Sequence, residues 1–162
     1  LVIDSQLSAL CQNILDIYAR FQFEKSVFEH VQHGFLNADQ LCDLMKKALL
    51  KSFGDGLDPN WIHTYRWITK VHYYIPDIAY YNFPYTFGAL FSRGLYAKYQ
   101  KEGQAFIPKY EALLKATTTN TVEDVAAIAD IDLSEPDFWK QSLQSIVDQM
   151  HEFLELSQGE KA

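Results

Sequence analysis

The fold class that this sequence predicts is all-α, and three observations predict it. Apolar residues return at three- and four-residue intervals through most of the 162 residues, helix-capping residues stand ahead of those runs, and no stretch alternates with the period of two that a strand requires. A composition of 48% hydrophobic and 22% charged residues excludes disorder and is rich enough to bury a core. No repeat, low-complexity tract or linker-like run interrupts it, so residues 1–162 are expected to form one helical unit.

The first element is expected from Asp4 to about His33. Leu7, Leu10, Cys11, Ile14, Leu15, Tyr18, Phe21, Val27, Phe28 and Val31 mark its apolar side, and Gly34 ends it. Asn37, with Gln40 three residues on, makes a capping box for a second helix carrying Leu41, Leu44, Met45, Ala48 and Leu49, stopped by Gly54 and Gly56. Asp58-Pro59 reads as a capping acid before a first-turn proline, opening a third helix with Trp61, Tyr65 and Ile68 inward. Pro76 and Pro84 break the aromatic stretch 71–85, which reads as an ordered loop feeding a helix from about Pro84 to Gln100. Gln104 to Lys115 and Thr121 to Ala129 are shorter helices. Ser134, Glu135 and Pro136 open the last one, through Phe138, Leu143, Ile146, Val147, Met150 and Leu154, and SQGEKA reads as a frayed end.

Composition also limits function. The net charge of −7 with scattered Lys and Arg offers no phosphate-binding footprint, so nucleic acid is not an expected partner. Nothing approaches the roughly eighteen apolar residues of a membrane span, and the first ten residues resemble no signal peptide. The chain is expected to begin inside a longer one. Two cysteines, Cys11 and Cys42, read as buried small hydrophobes in a reducing, cytoplasmic setting.

Chemistry-bearing motifs are few. EHVQH puts His30 and His33 three apart on a helix, but H-E-x-x-H, which sets two zinc ligands around a general base, is absent. These histidines read as surface or capping residues, and no metal ligand is assigned in the chain. There is no G-x-S-x-G elbow and no phosphate-cradling glycine loop. What remains is His72 with Tyr73, Tyr74, Tyr80, Tyr81 and Tyr85, ahead of Gly88, whose missing side chain would admit another backbone or a ligand. A packed core would favour Phe, Leu and Ile, since each buried hydroxyl must find a partner. Core packing and a donor-rich binding wall both fit this pattern.

The segment HYYIPDIAYYNFPYTFGALFSRGLYAKY resembles the C-terminal catalytic portion of the oligoendopeptidase F group, in the thimet-oligopeptidase-like family of zinc metallopeptidases. The family has a His-aromatic-Tyr run, a Tyr-rich loop and a small-residue helix start. FEKSVFEHVQHGFLNADQL, SFGDGLDPNW and ADIDLSEPDFWKQSL resemble it too, in the same order, so nearly the whole chain is covered. The resemblance implies the multi-helix C-terminal portion of a zincin-type catalytic domain. The zinc ligands and general base would lie in the upstream part of the same polypeptide, and the substrates would be short peptides. It also implies catalytic roles for His72, Tyr81 and Tyr85, and substrate contacts for Tyr73, Tyr74, Tyr80 and Gly88. The loop is a few residues longer than the family's common pattern, which keeps Tyr80 as the reserve for the donor role. By itself the chain is expected to bind no zinc, to be inactive, and to expose an apolar face that favours self-association. The alternative is a non-catalytic helical module whose aromatic segment grips a peptide or partner helix.

Overall fold

The computed structural model describes residues 2–159, which form helices joined by turns, with no strand among the described residues. Their contacts divide the chain into two compact units, an N-terminal one of Ser8–Phe87 and a C-terminal one of Gly88–Ala162 with Leu1–Leu7. The division falls inside a helix, which is why composition carries no trace of it.

In the N-terminal unit the expected first helix resolves into three parts: α1 (Val2–Cys11), which enters the unit at Ser8, a π-helical turn over Gln12–Asp16, and α2 (Ile17–Val31). A π-turn accommodates an extra residue, so the face beyond it is rotated by about 100° from that of an uninterrupted α-helix. The buried residues are accordingly Asp16, Ile17, Ala19, Arg20, Phe23 and Glu24, whereas Tyr18, Phe28 and Val31 of the expected inner stripe are exposed. The wider turn also frees main-chain acceptors. Thr86 Oγ1 donates to the Asn13 carbonyl at 2.6 Å and Ser52 Oγ to the Leu15 carbonyl at 2.5 Å, which satisfies two of them.

Helix α3 (Ala38–Phe53) begins as its sequence indicates. Asn37 Oδ1 accepts from the Gln40 N–H and Gln40 Oε1 from the Asn37 N–H, both at 2.9 Å. Gly54, at φ +57°, ends it. Met45, Ala48 and Leu49 meet Ala19 and Phe23 to form this unit's core, with Ile62, Trp67 and Tyr73 packed against it.

The third expected helix is not formed. Asp58 Oδ1 accepts from the Asn60 N–H at 2.8 Å and the Asp58 carbonyl from the Trp61 N–H at 3.1 Å, so this residue closes a turn, the local competition that Asp side chains offer to helices. Short 3₁₀ turns follow at Thr64–Thr69 and Val71–Tyr74. Trp61, expected inward, is 86% exposed, and Tyr65 and Ile68 are exposed as well. Cys42 is buried as expected, but Cys11 is exposed.

Helix α4 (Phe83–Glu102) supplies Gly88 onward to the C-terminal unit, followed by a 3₁₀ turn at Gly103–Phe106, α5 (Ile107–Ala116), α6 (Val122–Ile128) and α7 (Pro136–Gly159). Thr121 caps α6 by accepting from the Asp124 N–H. Ser134 does not begin α7. Its N–H and hydroxyl both bond Asp132 Oδ1, and the helix starts two residues later. The SQG of the expected frayed end continues α7, and residues 160–162 lie outside the described residues. Leu95, Phe106, Leu113, Val125, Ala126, Ala129 and Ile131 form the core. Gly94 lies directly under Phe138, where an added Cβ would sit 2.3 Å from two ring carbons. Among the described residues no helix is long and apolar enough to cross a membrane.

Candidate functional site

The aromatic loop belongs to the N-terminal unit and rests on charged residues at one face of its first helix. Asp16, Arg20 and Glu24, one helical turn apart, are all buried. The Asp16 carboxylate pairs with Arg20 Nη2 through one oxygen and with Arg66 Nη2, at 2.6 Å, through the other. Arg20 also reaches Asn82 Oδ1 at 3.5 Å, and Asn82, only 1% exposed, is the last loop residue before α4. Removing charge from water is costly unless it is paired or hydrogen-bonded; Asp16 and Arg20 meet this by pairing, and the Arg20–Asn82 contact ties the loop to the helix. Lys70 lies in the same electrostatic field. Burial lowers its ammonium pKa, the Arg20 guanidinium lowers it further, and Asp16 partly offsets both.

Glu24 sets the path of the loop. Its Oε1 accepts from the Tyr80 N–H at 2.8 Å, and Tyr80 has φ +57°, a left-handed conformation costing on the order of 1–2 kcal/mol for a residue with a side chain. The Tyr80 ring lies against Phe21 and Phe28, each with centroids 5.4 Å away. Hydrogen bond and ring contacts together hold the turn that presents the next residue, Tyr81.

Three of the expected site residues come together there. The His72 imidazole stacks on Tyr81 at 5.3 Å, and Tyr85 meets both rings edge-on, 6.3 Å from His72 and 6.0 Å from Tyr81. Tyr81 and Tyr85 are 43% and 45% exposed, so the cluster is a surface, not a core. His72 Nδ1 is buried without a hydrogen-bond partner among the described residues.

The other expected residues are placed differently. Tyr73 turns inward, its ring 5.2 Å from Phe23 and its hydroxyl donating to the Arg20 carbonyl at 3.3 Å. Burial, the largest cause, raises its phenol pKa well above the ordinary value. Its ring and hydroxyl thus both contact α2, and Tyr73 serves the unit as a packing strut. The Tyr74 hydroxyl donates to the Trp67 carbonyl at 3.2 Å. Gly88 is exposed on α4, and a Cβ there would meet nothing within 4 Å. Near the end of α2, His30 Nδ1 lies 2.7 Å from the Ser26 carbonyl, a helix-terminal role. Asp16, Arg20, Glu24 and Asn82 were not expected from the sequence. The recurrence of Asp, Arg and Glu at four-residue spacing was the available signal.

Compared with protein-family models, curated proteins and solved structures, the chain has no match. Its function is argued from its residues.

Proposed function

We propose that this chain is the C-terminal, substrate-facing part of a zinc metalloendopeptidase that hydrolyses short peptides, and that His72, Tyr81 and Tyr85 form its hydrogen-bonding wall. The observation that carries this reading is the convergence of those three rings on a half-exposed surface, on a loop that Arg20 and Glu24 hold at Asn82 and at the Tyr80 N–H. A wall built for packing alone would place the phenol rings inward, as Tyr73 is placed.

Zinc, which the resemblance implies, would supply Lewis-acid activation of water. The residues here do not fit it. Among the described residues no three His, Cys, Asp or Glu side chains converge as a metal site requires. The contribution of this chain is therefore donation and positioning. A tyrosine hydroxyl, with an ordinary pKa of about 10, is protonated at neutral pH and can donate to the oxyanion that develops on a scissile carbonyl. Of Tyr81 and Tyr85, one would serve the oxyanion and the other the peptide backbone, while His72 orients Tyr81 through the stacked contact.

The test is kinetic, in the full-length polypeptide. Tyr81→Phe and Tyr85→Phe each remove one hydroxyl and keep the ring. For the oxyanion donor kcat should fall roughly a hundred- to a thousand-fold with KM little changed, and for the backbone contact KM should rise instead. Near wild-type kinetics in both variants, with circular dichroism unchanged, would refute the reading.

A further inference from the structure

The C-terminal unit contains an aromatic cleft that the reading above does not use. It has a volume of about 620 Å³ and is lined by Tyr96 and Tyr99 of α4, Phe106, and Tyr110 and Glu111 of α5, with Leu95 beneath. That volume lies within the range of small-molecule sites. The rings come in two shallowly inclined pairs, Tyr96 with Tyr99 at 6.2 Å and 32°, and Phe106 with Tyr110 at 6.4 Å and 30°. Leu95 and Phe106 are buried and give the cleft an apolar floor, while Tyr96 and Tyr110 stand exposed at the rim.

Glu111 decides what such a cleft would hold. It is the one charged residue in the lining, it is exposed, and among the described residues it forms no ion pair, even with Lys115 one turn on. Along α5 the positions Ile107, Tyr110 and Leu114 would make a uniform apolar face, which Glu111 interrupts at helical spacing. An apolar helix laid there would have to bury an unpaired carboxylate, a strongly unfavourable step. A cation with an apolar body meets no such penalty, because its charge faces the carboxylate and the negative faces of aromatic rings while its carbon atoms replace water over Leu95 and Phe106.

We propose that this cleft is a binding site for a small, soluble organic cation of the alkyl- or arylalkylammonium class. The site shares no residue with the His72, Tyr81 and Tyr85 cluster, so its fate is independent of the peptidase reading. The probe is benzyltrimethylammonium, titrated into the 162-residue chain while tyrosine ring resonances are followed by NMR. Benzyl alcohol serves as the comparator that keeps the ring and drops the charge. Saturable shifts confined to Tyr96, Tyr99 and Tyr110, absent from Tyr73, are expected, with the cation binding about fivefold or more tightly than the alcohol. Glu111→Gln should weaken the cation by about three- to fivefold and leave the alcohol unchanged. Tyr110→Leu, which keeps apolar bulk and removes one ring, should do the same. Both positions are exposed, and circular dichroism of each variant checks the fold. Equal affinity for the two probes, no saturable shift, or a cation preference undiminished by Glu111→Gln in a folded chain overturns the proposal.

Discussion

Both units pack helices around an apolar core, but among the described residues only the N-terminal one buries charged residues beside it. The N-terminal unit buries Asp16, Arg20, Glu24 and Asn82 beside its apolar cluster, whereas the C-terminal unit, Ser142 apart, buries apolar residues alone among those described. Ser142 needs only one bond, from its hydroxyl to the Phe138 carbonyl at 3.1 Å. An apolar core would stabilise the N-terminal unit at least as well as buried ion pairs do, since removing charges from water is costly. What the charges add is direction. A carboxylate that must reach a particular N–H, and a guanidinium shared between Asp16 and Asn82, admit one path for the loop between them. Within the N-terminal unit, apolar packing and the course of the loop thus rest on different chemistry.

The largest expected effect comes from breaking that network. Asp16→Ala leaves the Arg20 guanidinium buried without its carboxylate, which should destabilise the N-terminal unit by about 3–5 kcal/mol. Hydrogen exchange is the discriminating measurement: amides of α2 and α3 should lose protection while those of α5 and α6 keep theirs. Equal loss in both units would show that they unfold as one body and that the contrast drawn above has no energetic content.

The converse perturbation is Gly94→Ala. Its methyl group would collide with the Phe138 ring and come 2.8 Å from Ser142 Oγ, and Phe138 is itself wedged against Phe91 at 5.8 Å. Overpacking of this kind costs about 1–3 kcal/mol. The loss should appear in the C-terminal unit by the same exchange measurement, and a variant as stable as the parent would mean that Phe138 has room to withdraw.

The smallest effect probes the border between strut and site. Tyr73→Phe forfeits the hydrogen bond to the Arg20 carbonyl, worth about 0.5–1.5 kcal/mol at neutral pH, and leaves the ring packed. It should also alter the alkaline limb of stability. The folded-state pKa of Tyr73 is raised above the ordinary 10.0, so its contribution is fully present below about pH 10 and is lost as pH climbs through the raised value. The Phe variant has no such proton to lose. Its urea midpoint should therefore fall less between neutral pH and pH 11 than the parent's, and parallel declines would place the phenol in water.

Local signals were the legible part of the fold. Asn37 with Gln40, Thr121 with Asp124, and Gly54 after α3 act within a single turn, and each residue sits where its sequence spacing indicates. Asp58-Pro59 failed because an Asp before a Pro caps a helix or closes a turn with equal local merit, and only tertiary packing chooses between them. The inner face of the first helix was misread for a different reason: counting at 3.6 residues per turn assumes an unbroken register, and a π-turn has no residue signature of its own. Within the aromatic loop, the sequence distinguished the segment but not the orientation of its tyrosines. Tyr73 and Tyr74 are neighbours with the same chemistry, and the core of α2 and α3 decides which of them turns inward.

The π-turn at Gln12–Asp16 makes chain length at that point as consequential as residue identity. Deleting one residue there would let the helix close into continuous α geometry and swing everything on one side of the deletion by about 100°. Asp16, Arg20 and Glu24 would leave the interior together, although none of them had been changed. A single-residue deletion in this stretch is therefore equivalent to substituting a whole helix face at once, while the turn at 32–36, which carries no buried residue, has no such phase to keep.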